Sequence, residues 1–247
     1  MKTWAKILGV VAVLAVGVAV AAEVTTVTGI NGIKFRLSEA SWRYKMTVNV
    51  ETPEGIKTGS AAREVTVKQV EPEIQGLYQT RTFVKGEAIA VDLGQRGVLF
   101  AIMGTDDYYH VFNSFPILDK GGDWTLVAKH YRDMKGAKAV LKPEQYPQIV
   151  MFKDMNDPKS VTLVKGWRFD IPTQTQIPVD NFEKIYGTGV KVTDFTIELT
   201  DDPVTWGIEK WLGWLPELHG SYLHGGTTSR EAPLGLHAGH FKQGESQ

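Results

Sequence analysis

The sequence predicts an α+β domain, mainly β, in which antiparallel hairpins form a sheet or sandwich with a few short helices. Three observations predict it. Residues 42–51 alternate strictly between apolar and polar. Further apolar runs come in pairs around turn-forming residues, and helical spacing is confined to three short stretches.

The first hairpin is the clearest. Trp42, Tyr44, Met46, Val48 and Val50 fall on one face, and Arg43, Lys45, Thr47, Asn49 and Glu51 on the other. A period of two means a strand with one buried and one wet face. Thr52-Pro53-Glu54-Gly55 supplies a turn, and a partner strand runs from Ile56 to about Val70, with a bulge expected near Gly59. A second hairpin spans Glu87 to Met103 around Gly94-Gln95-Arg96-Gly97. Its second arm, Val98–Met103, is apolar on both faces and should lie centrally. A third hairpin, Gln148 to Lys165, turns at Asn156-Asp157-Pro158. A last strand, Val190 to Thr200, points Phe195, Ile197 and Leu199 inward.

Helices are predicted at Trp124–Met134, at Asp180–Tyr186 ahead of Gly187, and from Pro203 to about Leu215 with Asp202 as N-cap. The proline-framed stretch 169–178 reads as a connector and allows a subdivision near residues 166–180. Beyond Leu215, residues 216–247 are rich in Gly, Ser, Thr and His and read as a flexible tail.

The beginning of the chain sets the expected compartment. Lys2 and Lys6 precede a sixteen-residue uncharged run, Ile7–Ala22. As a helix the run would span roughly 24 Å, short of a ~30 Å hydrocarbon layer. Ala19-Val20-Ala21 has the form of a leader-peptidase site. Residues 1–22 are therefore a signal peptide or an N-terminal membrane anchor, with cleavage favoured. No Lys or Arg follows until Lys34, so under either reading residues 23–215 form a β-rich domain facing the periplasm.

Composition narrows the chemistry. The chain of 247 residues has no cysteine, which removes disulfides, lipobox lipidation and Cys-type zinc sites. A net charge of −1 without a basic stripe argues against nucleic acid as a partner. No cofactor is implied. Gly187-Thr188-Gly189 suits a helix stop better than a dinucleotide loop, and neither G-x-S-x-G nor H-E-x-x-H occurs.

Several segments resemble one family. They are Trp42–Gly55 with Lys57-Thr58-Gly59-Ser60, Gly86–Leu93, Asn156–Val161, and Thr200-Asp201-Asp202-Pro203-Val204-Thr205-Trp206-Gly207-Ile208-Glu209-Lys210. The chain from Trp42 to Leu215 is similar to uncharacterised bacterial proteins that carry an N-terminal membrane-targeting segment. The resemblance implies an envelope location and brings no activity, cofactor or site residue with it.

Three clusters are candidates for chemistry. Asp106, Asp107 and His110 join two carboxylates to an imidazole, as acid–base or metal-assisted hydrolysis requires, against the simpler reading of a solvated loop. His219, His224, His237 and His240 offer metal-binding nitrogens but match no closed motif. Asp154–Pro158 is explained by a turn. Trp206, Trp211 and Trp214 crowd the third predicted helix, where Ile208, Trp211, Leu212 and Leu215 share one face and Trp214 is left at the rim. A surplus aromatic of this kind marks a partner surface or a membrane surface, against the simpler and slightly favoured reading that all three tryptophans complete one core. The leading expectation is thus a non-enzymatic envelope interaction module. A hydrolase built on Asp106, Asp107 and His110 is the alternative, and a periplasmic small-ligand carrier with an apolar pocket between sheets is a third.

Overall fold

The computed structural model describes residues 23–28, 34–72, 79–104, 107–117, 122–170, 172–226 and 233–244. The expected leader and Asp106 lie outside these residues. The fold is mainly β with short helices, and both sheets are antiparallel, as the sequence predicts. Among the described residues no helix is long and apolar enough to cross a membrane.

The large sheet is organised around the first hairpin. Strands β2 (Lys34–Thr52) and β3 (Gly55–Pro72) pair along their whole length around the turn at Pro53-Glu54. On its other side β2 pairs first with β1 (Glu23–Thr28) and then with β11 (Lys191–Leu199). The sheet is completed by β4 (Gln79–Glu87) beside β3, by the short β12 (Lys242–Gln243) beside β4, and by β7 (Lys138–Val140) beside β11. The small sheet has the order β10 (Thr175–Asp180), β9 (Val161–Asp170), β8 (Ile149–Phe152), β6 (Val98–Ala101), β5 (Ile89–Asp92).

The predicted inward face of β2, Trp42 to Val50, is buried throughout. It meets Phe195 and Ile197 of β11 and one face of the small sheet, where Ile89, Val91, Leu99 and Ala101 point. Helices α1 (Tyr109–Ser114), α2 (Trp124–Asp133) and α3 (Phe182–Tyr186) close this first core through Val111, Val127, Tyr131, Phe182 and Tyr186. The N-cap of α2 is Asp123, whose carboxylate accepts from the Thr125 amide at 2.9 Å. The opposite face of the small sheet carries Val98, Phe100, Val150, Phe152 and Leu163. It is covered by Ile208, Leu212, Leu215, Leu223, Leu236 and Phe241, which make a second core. The small sheet is therefore the middle of three layers, and β6 is buried on both faces as expected.

Four expectations are corrected. At Gly59 the ladder of β2 and β3 continues without a shift, so there is no bulge. A Cβ there would lie 2.4 Å from the Ala90 carbonyl oxygen, so glycine serves the close approach of β5. The stretch 169–178 is not a connector, because β9 and β10 form a hairpin across it. The helix expected over 203–215 is replaced by extended chain and 3-10 turns at Ile208–Lys210 and Leu215–Leu218. Thr205 is bound to Ala62 through both its amide and its hydroxyl, and Gly207 turns with φ 123°. Finally, the described parts of the tail, 216–226 and 233–244, are built into the fold: Leu223, Leu236, Ala238 and Phe241 are buried, and Lys242 pairs with Glu87.

Candidate functional site

A buried charge network lies in the first core. Arg63 occupies an inward position of β3, in line with Ala61, Val65 and Val67, and is fully buried. Its stem packs against Gly86 on β4, where a Cβ would lie 2.8 Å from Arg63 Cγ. Its Nε donates to the Glu87 carbonyl at 3.1 Å, and its Nη1 pairs with the Asp107 carboxylate. Asp107 Oδ2 also accepts from the Tyr44 hydroxyl at 2.8 Å, and Oδ1 accepts from the Gly104 amide at 3.1 Å. The Nη2 group of Arg63 has no partner among the described residues.

Electrostatics follow from this geometry. Burial pushes the Asp107 carboxyl up, but the Arg63 guanidinium, together with His110 and the hydrogen bonds from Tyr44 and Gly104, outweighs it and holds the group below its usual range. Burial, reinforced by Asp107, drives the Tyr44 hydroxyl well above its ordinary value, so it remains a hydrogen-bond donor. The reading of Asp107 as part of a solvated loop is corrected, since only 2% of it is exposed. Nor is it a free acid–base group, because its oxygens are committed to Arg63, Tyr44 and Gly104.

His110, on α1, stands at the edge of this network, its Nε2 3.7 Å from Asp107 Oδ1. Burial lowers its pKa more than Asp107 raises it, which favours the neutral imidazole. His110 and Asp107 line a cleft of about 630 Å³ together with Met103, Glu144, Gln148 and His240. The cleft opens past Trp167 and Leu234 into a second depression of about 380 Å³, lined also by Phe169, Arg168 and Gln176. Gln148, Trp167 and Leu234 border both.

Local structure explains why this rim is open. Strand β8 starts at Ile149, which pairs with Lys165, so beyond Lys165 β9 is paired with β10 alone. Trp167 and Phe169, two residues apart on that free stretch, are 43% and 56% exposed. Gly166, on β9 at the start of that stretch, has φ 145°, and a Cβ there would lie 2.8 Å from Gln148 Cγ. Leu234, opposite, is exposed and has a left-handed φ of 56°.

The residues singled out in the sequence separate. Trp214 is half-buried, and its Nε1 donates to the Met155 carbonyl at 2.9 Å while its ring meets Phe152 and Phe241 edge-on. It completes the second core and is not a surplus rim aromatic. Trp211 is half-buried against the same core. Trp206 is 37% exposed, with Lys242 Nζ 5.3 Å from its ring centre. Two of the histidines cap a short turn: His237 Nδ1 accepts from the Gly239 amide, and His240 Nδ1 accepts from the His237 amide. His219 is exposed and His224 half-buried. Among the described residues no group of three or more His, Asp or Glu side chains is placed to hold a metal.

The signal for Arg63 was present in the sequence: an arginine in the apolar register of an alternating strand needs a buried partner. The exposed pair Trp167 and Phe169 carries no comparable signal, because alternation there cannot tell a strand's buried end from its free end. No family model matches the chain, and no curated protein or solved structure matches it.

Proposed function

We propose that the chain is a non-enzymatic, periplasm-facing interaction module that binds another component of the cell envelope. The observation that carries this reading is the open groove bordered by Trp167, Phe169 and Leu234, three large apolar side chains exposed beside a polar cleft. Exposed apolar groups grouped at a concave site favour a ligand or partner over a solvated surface. Export rests on Lys2 and Lys6 ahead of the apolar run. The carrier reading has less support, since the space between the two sheets is filled by the side chains of the first core.

The test places a photo-crosslinking residue at position 167 and, as control, at exposed Leu126 on α2. Position 167 should yield envelope adducts that position 126 does not. Identical adducts at both sites would sink the reading. A reporter fused behind Gln247 that is active in the periplasm would support export.

The hydrolase reading retains one supporting observation, the neutral His110 beside Asp107 in a cleft that also holds His240 and Glu144. It needs a nucleophile or activated water that these groups do not themselves supply. Ester or amide hydrolysis abolished by His110→Ala would favour it over the binding module.

A further inference from the structure

The geometry points to a sugar chain as the occupant of the groove, an inference that rests on the binding-module reading. Sugars present apolar C–H faces and hydroxyl-rich edges. Their recognition therefore calls for exposed aromatic surface beside planar polar groups that donate and accept together. Trp167 and Phe169 supply that surface from one stretch of β9. Gln148 and Gln176, with Glu144 at the far side, supply the planar polar groups, and none of the three makes a side-chain hydrogen bond among the described residues. Gly166 lets the Gln148 stem lie against β9, which holds its amide at the junction of the two depressions.

Charge does not select an ion here. Asp107 is neutralised by Arg63, and the remaining borders carry one acidic residue, Glu144 at the cleft, and one basic residue, Arg168 at the second depression. Size favours a chain over a single ring, because each depression, at about 630 and 380 Å³, is large enough for a small ligand of its own. A peptide is the weaker fit. Peptides commonly add to a sheet edge through main-chain hydrogen bonds, and the edge beside this groove, β10, is interrupted by Pro178.

The experiment titrates the full chain with hexasaccharides of N-acetylglucosamine and of glucose, followed by calorimetry, and with a lysine-rich decapeptide. Co-sedimentation with purified sacculi and with lipopolysaccharide separates wall polymer from lipid-borne polysaccharide. Saturable binding to at least one saccharide probe is expected. Trp167→Ala should weaken it about tenfold, while Trp206→Ala leaves it unchanged. Gln148→Ala should weaken it several-fold. Failure of every saccharide probe, or binding indifferent to Trp167→Ala, overturns the inference. Binding of the peptide alone also overturns it but leaves the binding-module reading standing. That reading falls separately, if position 167 gives no specific crosslink.

Discussion

The two faces of the small sheet are covered in different ways. One face meets the large sheet and three short helices, and its core includes a buried ion pair. The other meets irregular chain within 208–226 and 233–241, and its core is apolar and aromatic, with Phe100, Phe152, Trp214 and Phe241 linked by ring contacts. The difference shows that regular partners are not required to bury a sheet. Coil suffices when its polar groups are satisfied. Here Glu87 accepts from the Ile208 amide at 2.8 Å, Trp214 donates to Met155, and the Ala88 amide donates to the Phe241 carbonyl.

The largest expected effect breaks the coil-covered side. Deleting residues 233–247 removes Leu236, Ala238 and Phe241 from the second core. Loss of Phe241 alone should cost about 3–5 kcal/mol. The truncated protein should bind a hydrophobic dye and lose cooperative unfolding. A cooperative urea transition would show that the coil is dispensable.

Next comes the sheet-covered side. Arg63→Ala leaves Asp107 buried without its counter-charge and should cost about 3–5 kcal/mol in urea denaturation. The double variant Arg63→Met/Asp107→Leu should lose less than the single one. Equal or greater loss would show that a stranded Asp107 charge is not what destabilises Arg63→Ala. A smaller effect is expected from Gly59→Ala, which forces β3 off β5 and should cost about 1–3 kcal/mol. An unchanged urea midpoint would show that the sheets separate freely.

The smallest effect concerns pH. His110 and His240 both have pKa values lowered in the fold, chiefly by burial. The unfolded chain therefore binds protons first as pH falls below about 6.5. Their contribution is complete above that value and is lost as pH falls through the lower folded-state values. Stability should decline from pH 7 toward 5, and the slope should lessen in His110→Asn. An unaltered slope would remove His110 from the titration.

Legibility in the sequence divides along the same line. Strands with an alternating face could be read residue by residue: the inward set Trp42 to Val50, the arm Val98–Ala101 buried on both faces, and Phe195, Ile197 and Leu199. The turn at Asp154–Pro158 was equally plain, with Asp154 and Asp157 each accepting from an amide two residues on. The irregular chain over 203–226 and 233–241 was misread, first as a helix and then as a mobile tail. Ile208, Trp211, Leu212 and Leu215 do carry a helical spacing, but the conformation is set by long-range bonds such as Thr205 to Ala62. Of the candidate site, Asp107 and His110 were legible as a pair. Their neighbours Arg63, Tyr44, Glu144 and Trp167 arrive from distant strands and loops, and local pattern does not bring them together.

The dipeptide Gly86-Glu87 bears on how the chain matures. Gly86 makes room for Arg63, the Glu87 backbone and carboxylate hold Arg63 and Ile208, and both residues pair with β12. A knot of contacts joining positions 63, 87, 208 and 242 has no local nucleus, so it forms late. Until the segment 236–243 arrives, a nascent chain exposes the greasy back of its middle sheet, and a holding chaperone would find its footing there.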